Sequence, residues 1–169
     1  MTRINRITIS GFKSFAHRTD IPFNNTYNCI LGPNGSGKSN IGDAICFVLG
    51  RLSAKSMRAE KASNLVFNGG KNKKAASQGS VEIAFSNESK VFPIDVGEVV
   101  VSRTIHNDGS SVYRINDKKM TRTEVIDLMS YAKINPDGYN IILQGDITRF
   151  VEMSSVERRK IIEEISDVA

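Results

Sequence analysis

The sequence predicts an α/β fold in which a strand, a glycine-rich loop and an amphipathic helix follow one another. The apolar segment YNCIL at 27–31 runs directly into the loop GPNGSGKS at 32–39. Beyond the loop, apolar residues recur at the spacing of a helix that buries one face: Ile41, Ala44, Ile45 and Val48. Gly50 is a natural terminator for this helix, because glycine adopts the left-handed conformation common at helix ends.

Short segments of alternating or apolar residues predict the rest of the sheet. They are RITIS at 6–10, IPF at 21–23, VEIAFS at 81–86, VVVSRTI at 99–105 and SVYRIN at 111–116. The last two flank the pair Asp108 and Gly109, which is a strong signal for a hairpin turn. We therefore expect a mixed sheet with an antiparallel part.

Two capping boxes predict further helices. One box is Thr121 to Glu124 and the other is Ser154 to Glu157, each with a hydroxyl residue three positions before a glutamate. The second box opens a helix with apolar residues three and four apart: Ile161, Ile165 and Val168. Between the boxes, IILQ at 141–144 reads as a buried strand. We divide the chain into a lobe at 1–153 and a terminal helix at 154–169.

Composition restricts the class of protein. The chain has 169 residues, enough for one domain, and no apolar run reaches the roughly 20 residues that span a bilayer. The first residues alternate instead of forming a secretory signal, so we expect an intracellular protein. Cys29 and Cys46 lie in apolar stretches and are expected to be small core residues. The net charge of +5 suits a polyanionic partner without identifying one.

GPNGSGKS matches the phosphate-loop pattern at every constrained position, between an apolar segment and a helix. Glycines let backbone N–H groups point at phosphate oxygens, and the helix adds its positive end. We expect Lys38 to reach the outer phosphates and Ser39 to bind Mg²⁺. The residues expected to contact nucleotide here are Asn34, Gly35, Ser36, Gly37, Lys38, Ser39 and Asn40.

Gln144 and Arg58 are further candidates for the chemistry. Gln144 ends an apolar segment, where a polar amide would point into the ligand crevice and meet magnesium or a water. Arg58, in LSAKSMRA, could bring a guanidinium to the γ-phosphate. Each residue also has an interpretation without a role in the chemistry. Gln144 could form a hydrogen bond to the backbone, and Arg58 could be a solvated surface residue.

The acidic residue that a complete ATPase uses to hold magnesium is not evident. The best candidate is Asp95 in VFPID, but Pro93 interrupts that run and argues against a central strand. We therefore do not assign this role to Asp95. A GTPase is disfavoured because no Asp-x-x-Gly switch occurs, so ATP is the expected nucleotide.

Taken together, these segments resemble the N-terminal half of the head domain of structural maintenance of chromosomes (SMC) proteins, and the archaeal members most. The similarity runs nearly end to end. It is carried by GFKSF, GPNGSGKSNIGDAICFVLG, LSAKSMRA, FPID, NPDGYNIILQGDIT and ERRKIIEEIS. The motif ISDVA departs from the family pattern, since Asp167 stands where a glycine is usual.

The resemblance implies the N-terminal lobe of an ABC-type ATPase head, with the terminal helix leading into a coiled-coil neck. Lys38 and Ser39 match the phosphate-loop positions, Gln144 the Q-loop glutamine and Arg58 the R-loop arginine. Lys38, Gln144 and Arg58 are then the expected catalytic residues, and Ser39 and Gln144 the metal ligands. Lys13 and Ser14, in GFKSF, join the nucleotide-binding set.

The resemblance also implies the partners. The signature loop and the acidic magnesium motif would come from the C-terminal half of the same protein, so this chain alone is expected to be inactive. A second head would complete a homodimer, a kleisin would bind near the neck, and double-stranded DNA would be entrapped in the cytoplasmic nucleoid. No membrane is expected. The alternatives are a DNA repair ATPase of the RecF or RecN type and a free-standing P-loop kinase.

Overall fold

A six-stranded antiparallel sheet is the centre of the fold. A computed structural model describes residues 2–24, 27–70, 74–136, 138, 141–143 and 153–165. The strands are β1 (Ile4–Ser10), β2 (Thr19–Pro22), β3 (Gln78–Ser86), β4 (Glu98–His106), β5 (Ser111–Ile115) and β6 (Lys118–Met120). Their order is β2-β1-β3-β4-β5-β6, and every neighbouring pair is antiparallel. The described sheet is thus antiparallel throughout.

One face of the sheet packs against helix α1, Lys38–Val48. Alternate residues of β4 are buried, so the strand presents one side to the core, as its alternating sequence requires. The Phe47 ring on α1 meets Phe12, with ring centroids 5.0 Å apart. The predicted end of α1 is confirmed: Gly50 has φ of 109°, and the Arg51 N–H donates to the Cys46 carbonyl over 3.0 Å.

Arg103 on β4 is a buried cation, and it joins the sheet to the carboxyl end of α1. Its guanidinium lies 4.2 Å from the Phe47 ring centroid and 4.7 Å from that of Tyr113. Nη1 donates to the carbonyls of Phe47 over 2.9 Å and Arg51 over 3.0 Å. Burial lowers the pKa of Arg103 from its ordinary value. These carbonyls lie at the negative end of the helix, where a cation is favourable.

Both predicted capping boxes are present. Helix α2 is Arg122–Tyr131, and the Thr121 side chain and Glu124 cap its first turn reciprocally. Helix α3 is Ser155–Ile165; there the Ser154 N–H donates to the Glu157 carboxylate over 2.9 Å. Two 3-10 turns, Lys55–Met57 and Ala62–Leu65, lie between α1 and β3.

The hairpin at Asp108 and Gly109 is confirmed, with Gly109 at φ of 85° between β4 and β5. A second hairpin, between β5 and β6, was not predicted. Its turn consists of Asn116 and Asp117, with φ of 46° and 66°. Two consecutive left-handed residues make a turn of the type I′ kind, which Asn and Asp tolerate better than most residues.

Two predicted strands are wrong in the described residues. Residues 27–31 form no strand, and Tyr27 and Leu31 are 88% and 86% exposed. Residues 141–143 form none either, and Ile142 is 68% exposed, while Gln144 lies outside the described residues. A strand requires a hydrogen-bonded neighbour, and no described segment pairs with these two.

The cysteines differ from each other. Cys46 is buried on α1, as predicted, whereas Cys29 is exposed, so its assignment to the core was wrong. Cys29 lies in the segment 27–31, which pairs with no strand among the residues that the structure describes. Among the described helices, none is both long and apolar enough to cross a bilayer.

Candidate nucleotide-binding site

The loop at 32–39 leads into the N-terminus of α1 through two left-handed glycines. Gly35 has φ of 80° and Gly37, the residue that precedes α1, has φ of 94°. A Cβ atom at Gly37 would lie 2.7 Å from Ser14 Oγ, so a larger residue would clash there. The loop backbone therefore approaches Ser14 closely at Gly37, and N–H groups without intrahelical acceptors collect at the start of α1.

The Lys38 ammonium lies over this loop. Its Nζ donates to the carbonyls of Gly32 and Pro33, each over 2.6 Å. Both acceptors belong to the loop itself, and no ion pair of Lys38 with an acidic side chain is recorded in the described part of the chain. The predicted lysine is thus placed beside the backbone that would hold phosphate, with neutral partners.

A cleft of about 240 Å³ opens beside the start of α1. Its lining is Lys38, Ser39, Gly42, Asp43, Ser56, Arg58, Ile142 and Leu143. The cleft therefore brings together three of the residues that the sequence singled out, namely Lys38, Ser39 and Arg58. We call it the phosphate cleft.

Arg58 reaches the phosphate cleft from a strained turn. It follows the 3-10 turn Lys55–Met57 with φ of 55°, a left-handed conformation that non-glycine residues seldom adopt. Nη2 donates to Asp43 Oδ2 over 2.5 Å and lies 3.4 Å from Asn40 Oδ1. The side chain is 41% exposed. Arg58 is thus held by α1 on one side and open to the cleft on the other.

Asp43 is the residue of this site that the sequence reasoning missed. Its side chain is only 2% exposed, and it accepts from both Lys13 and Arg58. The sequence did contain a signal for Asp43, because this acidic residue stands among the apolar residues of α1. Acidic residues are almost never fully buried unless they are paired.

Lys13, Ser14 and Asn40 lie together beside a second, more open depression of about 480 Å³. The Lys13 Nζ donates to Asp43 and to the Met57 carbonyl, and its side chain is 11% exposed. Asn40 Nδ2 donates to Ser14 Oγ over 2.8 Å. The structure thus groups these three predicted residues beside a different depression from the one that Ser39 lines, with protein partners already in place for each.

Gln144, predicted as a magnesium ligand, lies outside the described residues. Its neighbour Leu143 lines the phosphate cleft and comes within 3.3 Å of a Cβ built at Gly42. No group of three or more His, Cys, Asp or Glu side chains that could hold a metal occurs among the residues described. Asp95 is fully exposed and pairs with Lys90, which lowers its pKa by hydrogen bonding, and it lines neither depression.

Comparison with known proteins decides the family. A family model described as the RecF/RecN/SMC N terminal domain matches residues 3–157. The chain belongs to this family. The SMC resemblance predicted from the sequence is thereby confirmed, and the free-standing kinase alternative loses its basis.

Curated relatives within the RecF/RecN/SMC family are chromosome partition proteins. The chain is 51% identical over 170 residues to the chromosome partition protein Smc of Pyrococcus furiosus, and 45% identical over 166 residues to that of Aquifex aeolicus. The matches cover 100% and 98% of this chain but 14% of each relative. These names favour the SMC interpretation over a RecF or RecN type repair ATPase.

Solved structures of SMC heads share the fold. One is the P. furiosus Smc head domain with an extended coiled coil bound to the C-terminal domain of ScpA, with TM-score 0.94 and 51% identity over 98% of this chain and 42% of that one. Another, from work on ATP-driven dimerization and DNA-stimulated activation of SMC ATPases, has TM-score 0.89 and 50% identity over 96% and 98% of the two chains. The predicted head-lobe fold is confirmed.

Proposed function

We propose that this chain is the phosphate-loop half of an SMC ATPase head. The observation that carries the proposal is the Lys38 ammonium held over the carbonyls of Gly32 and Pro33, beside the two left-handed glycines of the loop. Together with the amides at the start of α1, this arrangement suits the β- and γ-phosphates of ATP.

The donor set at the loop also fits a magnesium ion bound with the nucleotide. The exposed Ser39 hydroxyl lines the phosphate cleft, and Mg²⁺ in such sites takes few protein ligands because phosphate oxygens and waters supply the rest. The ion would neutralise charge on the transferring phosphoryl group. In this proposal Ser39 and Gln144 hold the ion, Arg58 meets the γ-phosphate, and Lys13, Ser14 and Asn40 border the nucleotide.

Hydrolysis by this half alone is not part of the proposal. The acidic magnesium residue and the signature loop would come from the C-terminal half and from a second head. The apolar side chains exposed at Tyr27, Leu31 and Ile142 suit a surface that a neighbouring polypeptide would cover. The chain spans 14% of the length of its curated relatives.

The partners follow from the relatives. A related head is described bound to ScpA, and another in the context of dimerization and DNA-stimulated activation. We propose a kleisin near the neck at 154–169, a second identical head, and double-stranded DNA entrapped on head engagement. Chromosome organisation in the cytoplasmic nucleoid is the resulting role.

Replacing Lys38 by alanine tests nucleotide binding. In the head assembled with its C-terminal half, Lys38→Ala should weaken ATP binding by at least about tenfold, because the phosphates lose charge-assisted hydrogen bonds. Isothermal titration calorimetry measures the effect. Lys61→Ala, which removes an exposed lysine that lines neither depression, is the matched control and should leave the affinity unchanged. Equal ATP affinity in Lys38→Ala and the unaltered head would refute the proposal.

A further inference from the structure

Asp43 is a buried carboxylate shared by two cations that come from distant parts of the chain. Lys13 follows β1, thirty residues before Asp43 in the sequence, and Arg58 lies fifteen residues after it. Both donate to the same oxygen, Oδ2. Exposure rises across the cluster, from 2% at Asp43 to 11% at Lys13 and 41% at Arg58. The carboxylate is enclosed, and Arg58 is the member that faces solvent.

Asp43 and Lys13 hold Arg58 in complementary ways. Asp43 binds the guanidinium itself, while the Lys13 ammonium also donates to the Met57 carbonyl over 2.5 Å. Met57 immediately precedes Arg58, whose φ of 55° is unfavourable for an arginine and requires support from its surroundings. Lys13 therefore fixes the backbone, and Asp43 fixes the side chain that projects from it.

The guanidinium of Arg58 suits a phosphate group, because it offers five N–H donors in a planar fork. Arg58 lines the phosphate cleft together with Lys38 and Ser39. The outermost oxygens of a nucleoside triphosphate bound in the loop would be anionic acceptors for this fork.

We propose that Asp43 is a positioning residue that holds Arg58 at the phosphate cleft. The inference rests on the proposed function, because it assigns Arg58 to the terminal phosphate of the same nucleotide. Without the Asp43 carboxylate, Lys13 and Arg58 are like charges with no counter-ion between them, and the more exposed Arg58 side chain moves away toward solvent. The loop, Lys38 and Ser39 remain in place, so nucleotide binding persists while turnover falls.

Asp43→Asn tests the inference, because it removes the charge and keeps the shape. In the assembled head, Asp43→Asn should lower kcat for ATP by roughly tenfold or more, with KM changed far less, because a displaced catalytic group acts mainly on turnover. In an Arg58→Ala background the same change should have no further effect on kcat. Asp95→Asn, which removes a carboxylate that is 100% exposed, is the control and should leave kcat and KM unaltered.

An equal loss of kcat in both backgrounds would overturn the inference, since a structural defect does not depend on Arg58.

Chemical labelling gives a readout independent of hydrolysis. The rate at which phenylglyoxal modifies Arg58, relative to Arg114 in the same protein, should rise by at least about threefold in Asp43→Asn, because a charge-assisted hydrogen bond is lost. An unchanged ratio overturns the inference even if the unaltered head hydrolyses ATP. No turnover by the unaltered head refutes the proposed function, and the labelling ratio still decides the role of Asp43.

A second variant covers the case in which Asp43→Asn does not fold. The cause of misfolding would then be the Lys13 ammonium, which stays buried after its carboxylate partner is removed. Removing one partner of a buried ion pair is strongly destabilising. The double variant Lys13→Met with Asp43→Asn removes both charges and keeps the side-chain volumes close to the original. Because Lys13 also supports the Met57 backbone, the reference for this double variant is Lys13→Met alone. Labelling of Arg58 should be higher, and kcat lower, in the double variant than in Lys13→Met. Equal labelling of Arg58 in the two variants contradicts the proposal.

Discussion

Arg103 ties the carboxyl end of α1 to the sheet, and so fixes the far end of the helix that begins at the phosphate loop. Its partners are the carbonyls of Phe47 and Arg51, the Ser111 hydroxyl and the rings of Phe47 and Tyr113. No recorded ion pair joins Arg103 to a carboxylate among the described residues. Its contribution to stability thus comes from hydrogen bonds and cation–π contacts.

Arg103→Met should lower the free energy of unfolding by on the order of 3 kcal/mol, because two buried carbonyls lose a charged donor and two rings lose a cation. Denaturant unfolding of the assembled head measures the change. Arg114→Met, on the neighbouring strand one residue from Tyr113, is the matched control and should cost much less. Equal losses in the two variants would contradict the role assigned to Arg103.

Single residues of the candidate site were predictable to different degrees. The loop motif predicted Lys38 and Ser39 because their roles follow from local spacing. The role of Arg58 needed the family resemblance, since an arginine in a loop has no local signature. Asp43 was missed because its importance comes from Lys13 and Arg58, which only the fold brings to it.

At the scale of helices and strands, the capping box of α2 is a local device with a measurable pH dependence. The hydrogen bond that Glu124 accepts from the Thr121 backbone N–H is the main cause that lowers the pKa of Glu124 below its ordinary 4.5. A lowered pKa means that the contribution to stability is present above about pH 4.5. It is lost as the pH falls through the folded-state value.

Comparison of the assembled head with its Glu124→Gln variant tests this pH dependence of stability. The unaltered protein should be the more stable at pH 7, and the difference in the free energy of unfolding should shrink as the pH falls from 5 to 3. Glu60→Gln is the control, since it removes the same charge outside any capping box. A difference between Glu124→Gln and the unaltered protein that stays constant over this pH range would rule out the box as its source.

Elements with strong local signals were predicted correctly, whereas two of the strands inferred from apolar runs were not found among the described residues. Helix α1, the hairpin at Gly109 and both capping boxes were each apparent in a few consecutive residues. Strands at 27–31 and 141–144 were inferred from apolar runs, but a strand also needs a neighbour in space. The β5–β6 hairpin was missed because the pair Asn116 and Asp117 is a weaker turn signal than Asp-Gly.

At the scale of the whole molecule, some of the exposed apolar residues lie in the two segments where predicted strands were not found. Tyr27, Leu31 and Ile142 are exposed, and Ile142 lies at the phosphate cleft beside Leu143. An apolar segment next to the candidate phosphate loop suits a surface that another polypeptide covers. In the composite head that we propose, the C-terminal half would cover this surface beside the nucleotide.

ATP turnover by this chain, alone and mixed with the C-terminal half of the same protein, tests the central claim most directly. The account predicts no significant hydrolysis by residues 1–169 alone, because the acidic magnesium residue and the signature loop are proposed to lie in the C-terminal half. It predicts hydrolysis on mixing, which Lys38→Ala abolishes. Steady ATP hydrolysis by the chain alone, unaffected by the added half, would contradict it.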